Sequence, residues 1–161
     1  MLVPFETLPR TSRIWVYQSN LELTESQQKV IESKLEQFVN TWQRHGEDLK
    51  GSFKIMYNHF IVLAVDESFN DVSGCSIDAS VRAIQDIEQE LSIDLMNKMN
   101  LAFKVGENIN IVDMNTFRGF ISADKISQET VVFNNMVQSL ADFQDKWEVP
   151  ATESWHNRFF N

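Results

Sequence analysis

A chain of 161 residues, 43% of them hydrophobic, can bury a core as one domain and is short for more than one. Fourteen basic against twenty-three acidic residues leave a net charge of −9. That charge repels a phosphate backbone and an anionic membrane surface, so neither nucleic acid nor membrane is expected as a partner. The lone cysteine, Cys75, excludes an internal disulfide and a cysteine zinc cage. No stretch approaches the roughly eighteen apolar residues of a membrane span, and the start Met1-Leu2-Val3-Pro4 lacks the basic, then apolar, pattern of a signal peptide. The expected location is the cytoplasm.

Arg13 to Gln18, with Ile14-Trp15-Val16-Tyr17 at its centre, is rich in β-branched and aromatic residues and predicts a strand. A helix follows. Thr24 and Gln27 make a capping-box pair, Glu25 suits the positive end, and Ile31, Leu35, Phe38, Val39 and Trp42 recur at helical spacing. Arg44 and His45 are expected in its last turn, with Gly46 as the stop. Residues 51–58 alternate Phe53, Ile55, Tyr57 against Ser52, Lys54, Met56. Asn58-His59 is expected to turn this strand into the apolar run 60–65. A second helix opens at Ser76 or Asp78 and directs Ile77, Val81, Ile84, Ile87 and Leu91 inward, with Asp86, Glu88 and Glu90 outward.

With one further strand somewhere in 93–105, this is the βαββαβ order of a ferredoxin-like α+β sandwich over residues 1–105. A bare sandwich of that kind leaves one sheet face wet and should alternate. Residues 14–17 and 60–65 are apolar on both faces, so the second face needs a cover. Two covers are available: the C-terminal extension 106–161, or a second copy of the chain in a homodimer.

The extension has suitable parts. Asp113 can cap a short helix carrying Met114, Phe117, Phe120 and Ile121. Residues 130–133 read as a strand, and Ser139 with Asp142 starts a helix carrying Leu140, Phe143 and Trp147 that Pro150 ends. Trp155, Phe159 and Phe160 make the tail too aromatic to be free. With no linker or repeat, 1–161 reads as one unit.

The candidate site is the strand-to-helix junction 66–78, comprising Asp66, Glu67, Ser73, Gly74, Cys75, Ser76 and Asp78. Helix N-termini present unpartnered N–H groups, and a thiol placed there gains nucleophilicity. Cys75 lacks a nearby histidine in sequence, since His45, His59 and His156 all lie far from it, and the bland alternative is a small buried hydrophobe at the helix start. Asp66, Glu67, Asp71 and Asp78 offer oxygen ligands, but at no spacing of a calcium loop; the plainer roles are capping and solvation. No metal and no cofactor is expected. Ser73-Gly74-Cys75-Ser76 resembles a phosphate loop only loosely. The absence of GxxxxGK[ST] excludes nucleotide hydrolysis by the P-loop route.

Trp15-Val16-Tyr17-Gln18, Trp42 with His45-Gly46, Val65-Asp66-Glu67, Ser73 to Asp78, Val132-Phe133-Asn134-Asn135, Trp147-Glu148-Val149-Pro150 and Ser154-Trp155-His156 together resemble a small bacterial family whose members carry the label "ABC transporter ATPase". The label conflicts with the residues, because an ABC ATPase needs a Walker A lysine, a signature motif and a longer chain. The resemblance implies a stand-alone cytoplasmic protein of this size and brings no catalytic or binding residue with it.

The expected function is therefore a non-enzymatic binding or assembly module, with a protein or small-molecule partner held at 66–78. The alternative is a small-molecule enzyme using Cys75, or Asp66 and Asp78, at the same junction.

Overall fold

The computed structural model describes residues 1–68 and 71–161; Phe69 and Asn70, within the predicted junction, lie outside the described residues. The first part of the chain runs β1 (Arg13–Gln18), α1 (Glu25–Thr41), β2 (Gln43–Arg44), β3 (Glu47–Asp48), β4 (Gly51–Met56), β5 (Phe60–Val65) and α2 (Gly74–Leu91). It continues with β6 (Asn100–Val105), β7 (Asn108–Asp113), α3 (Met114–Ser122), β8 (Val131–Phe133), α4 (Leu140–Lys146) and β9 (Glu148–Pro150). Tight 3-10 turns at Ala151–Glu153 and Trp155–Phe160 end the chain. The protein is α+β, and its strands form antiparallel sheets in the orders β1-β5-β4, β2-β3 and β7-β6-β8-β9.

Local chemistry explains the starts and turns. Thr24 Oγ1 accepts from Gln27 N at 3.2 Å while Gln27 Oε1 accepts from Thr24 N at 2.9 Å, a closed capping box at the head of α1. The helix stops at Thr41, before the expected Arg44 and His45. His45 (φ 51°) and Gly46 (φ 82°) instead form the two-residue turn between β2 and β3. With both central residues at positive φ this is a type I′ hairpin turn, so Gly46 serves a turn and not a helix stop. The β4–β5 turn is Tyr57-Asn58-His59, which takes in the expected Asn58-His59; Tyr57 and Asn58 have φ 52° and 55°, and His59 N donates to Met56 O at 3.0 Å.

The β1-β5-β4 sheet is covered on both faces. On one side Tyr17, Ile61, Leu63 and Val65 pack with Ile31, Leu35 and Val39 of α1 and Ile84 and Ile87 of α2. On the other, Ile14, Phe60, Val62 and Ala64 meet Phe5, Ala102, Phe133, Leu140, Phe143 and Trp147. A third core lies beyond the β7-β6-β8-β9 sheet, where Leu101, Phe103 and Val132 meet Phe117, Ile126 and the half-buried tail residues Trp155, Phe159 and Phe160. The layers are thus helix pair, sheet, sheet and outer helix with the tail. Apolar side chains on both faces of β5 are buried in full, which is why its run is unbroken.

The fourth strand corrects the expected order. A strand does lie within 93–105, but β6 pairs with β7 and β8 and not with β1. Short crossing segments take up both ends of the β1 edge. Ile14 N donates to Gln138 O and Leu140 N to Ser12 O, while Gln18 N donates to Leu95 O and Asn20 N to Asp94 O. With that edge occupied, β6 finds its partner in a hairpin turned by Gly106 (φ 61°), which suits the left-handed first turn position. The boundary expected at 105–106 therefore falls inside a hairpin, and β6 belongs to the covering sheet.

Candidate functional site

Of the predicted junction, the structure gathers some residues and leaves others in solvent. β5 delivers Asp66 to the sheet end, where its N–H donates to Lys50 O at 2.8 Å. The Asp66 carboxylate accepts from Ser68 N at 2.8 Å, and Glu67 Oε1 from Val72 N at 3.4 Å. Both acids therefore turn toward the loop's own backbone. Ser73 is the N-cap of α2, with Oγ accepting from Ser76 N at 3.2 Å. A Cβ on Gly74 would meet nothing within 4 Å, so neither space nor backbone demands glycine there.

Ser76 is the anchor of the junction. Its hydroxyl donates to Gln43 O at 2.7 Å and its carbonyl accepts from the Trp42 indole N–H at 2.9 Å. Both Ser76 and Trp42 are 2% exposed, so these bonds tie the end of α1 to the start of α2 away from water. The buried stripe of α2 is accordingly Ser76, Ser80, Ile84 and Ile87, rotated from the expected one. Ile77, Val81 and Leu91 are only half-buried. Small hydroxyl residues let the helix approach the sheet, and Ser80 Oγ donates to Ile77 O at 2.6 Å. Burial raises the Tyr17 phenol above its ordinary range, against a weaker opposing hydrogen bond with Ser80.

Cys75 is exposed, which corrects the reading of it as a small core residue; the serine beside it fills that place. Asp78 is exposed as well. Among the described residues no group of three His, Cys, Asp or Glu side chains is placed to hold a metal ion. His59 is buried with Nδ1 hydrogen-bonded to Tyr57 O at 2.8 Å. His156 is 1% exposed, stacked 4.0 Å from the Trp155 ring, and shares a 2.7 Å hydrogen bond with Ser154 Oγ. Burial, with Arg158 second, holds its pKa down to about 4.

Beside the junction lies an open groove of about 650 Å³ between α1 and α2. Phe38 from α1, Trp42 just after its end, and Ala79 and Ala83 from α2 give it apolar walls. Gln37, Thr41, Gln43, Lys34, Arg82 and Asp86 supply polar and charged rims. The Trp42–Ser76 bond marks one end, and a Lys34–Glu90 ion pair at 3.2 Å joins the helices toward the other, so α1 and α2 run antiparallel. Sequence reasoning missed this groove because Phe38 fitted the inward stripe. The signal available was Ala79 and Ala83, two small residues one turn apart on α2.

A second polar knot sits at the opposite end of β1. Trp147 Nε1 donates to Asn135 Oδ1 at 2.9 Å, Asn135 Nδ2 to Gln18 Oε1 at 2.9 Å, and Gln18 Nε2 to Asn100 O at 3.2 Å. It satisfies polar groups at the seam where the two sheets meet. No helix among the described residues is long and apolar enough to cross a membrane. Comparison with protein-family models, with curated proteins and with solved structures finds no match.

Proposed function

We propose that this protein is a non-enzymatic binding or assembly module, built on a ferredoxin-like unit whose edge strand has left for a second sheet. Its partner surface is the 66–78 junction together with the α1–α2 groove. The observation that carries the reading is the groove itself, an open cleft whose apolar walls adjoin the junction and whose junction end is fixed by the Trp42–Ser76 hydrogen bond. A polypeptide partner fits it: apolar side chains pack on Phe38, Ala79 and Ala83, and polar ones meet Gln37, Gln43 and Arg82. Asp78 extends the same surface by one helical turn from Arg82.

The rival is small-molecule chemistry by Cys75, or by Asp66 and Asp78, and it draws on the exposure of the Cys75 thiol. Native affinity capture separates the two. Ala83→Trp fills the groove and should release a partner that wild type retains; Asp78→Ala should weaken the same contact, with fold and oligomeric state unchanged. If Ala83→Trp captures the same proteins as wild type, the groove is not the partner surface.

A further inference from the structure

β4 is the outer strand of its sheet, paired with β5 on one side only along its length. Among the described residues, its other edge is taken up at one residue. Gly51 N donates to Met1 O at 3.0 Å, and Val3 N donates to Gly51 O at 2.9 Å, so residues 1–3 begin a parallel strand there. Pro4, which has no N–H, ends it. Backbone groups alternate in direction along a strand, so the N–H and C=O of Phe53 and Ile55 point the same way as those of Gly51. At this start of the edge lies a second groove of about 390 Å³, lined by Leu2, Val3, Pro4, Ser52 and Phe53.

Lys54 stands between those two residues on the other face of the strand. Its ammonium lies 4.5 Å over the Phe5 ring, with Glu6 at 3.7 Å, and the side chain is 37% exposed. A lysine in the middle of an edge deters self-pairing. Two copies joined antiparallel about this point would set Lys54 opposite Lys54, an unfavourable like-charge pair. The same charge favours a foreign strand that brings a carboxylate there.

We propose that the free edge of β4 binds an extended segment of another polypeptide, with an acidic side chain opposite Lys54 and apolar side chains opposite Phe53 and Ile55. The affinity comes from backbone hydrogen bonds to Phe53 and Ile55, and the selectivity from Lys54. This surface is separate from the α1–α2 groove, so either can fail without the other.

The test is amide exchange of the full chain with two synthetic peptides, acetyl-Thr-Val-Glu-Val-Thr amide and its Lys-for-Glu counterpart. The acidic peptide should slow exchange at Phe53 and Ile55 about tenfold at saturation and leave β5 unchanged. Lys54→Glu should bind it about fivefold more weakly and prefer the basic peptide. Ile55→Pro, a residue that edge strands tolerate, should abolish binding while keeping the circular-dichroism spectrum. If that variant does not fold, the Lys54→Glu inversion still decides. Equal response to both peptides, or none, overturns the proposal. So does a wild-type dimer in light scattering that Ile55→Pro dissolves, because the occupant is then a second copy.

Discussion

The Trp42 indole N–H is the residue-scale contact on which the junction depends, since it joins α1 to the first turn of α2 through Ser76 O. Trp42→Phe keeps a ring but removes the donor and part of the packing, and should destabilise the fold by about 2 kcal/mol. Urea unfolding checks the size, and faster amide exchange at residues 76–78 before elsewhere checks the place. His156 gives a second residue-scale expectation. Its folded pKa is about 4, below the roughly 6.5 of an unfolded histidine, so the unfolded chain binds the extra proton. Its contribution is complete above about pH 6.5 and is lost as pH falls toward 4, by about 3 kcal/mol in total. Urea midpoints at pH 7.5 and 4.5 should therefore diverge less in His156→Gln than in wild type.

At the scale of elements, Gly74 shows how a motif can mislead. It sits in the first turn of α2 with open space where a Cβ would go, and its φ is not in the left-handed region. Gly74→Ala should stabilise the protein by about 0.5–1 kcal/mol, by restricting the unfolded chain, as a thermal melt will show. β1, α1, β5 and the caps at Thr24, Asp113 and Ser139 were legible because each is decided locally, by periodicity or by one side-chain acceptor. β2–β3 was not, because His45-Gly46 fits a helix stop as well as a turn and only tertiary contacts choose. β7 was missed although Gly106 and the alternation of Ile109 and Ile111 marked a hairpin, and β9 is too short to read. The junction was legible as a strand-to-helix turn, but the residue that ties it to α1 was not. Cys75 drew attention as the lone thiol, while Ser76, chemically plainer, makes the buried contacts.

At the scale of the molecule, the sequence required a cover for the second face of the first sheet and left its source open. The structure supplies it from within the chain, through Phe133, Phe143 and Trp147 against Phe60. That cover leaves the helix pair as an outer layer, and the cleft between its two members faces solvent. The most direct test of the account is site-specific photo-crosslinking in lysate, with benzoylphenylalanine placed at Ala83 in the groove or at exposed Glu32 away from it. Discrete adducts from position 83 and none from position 32 are predicted. Adducts from position 32 alone, or the same adducts from both, would contradict the assignment of the groove as the partner surface.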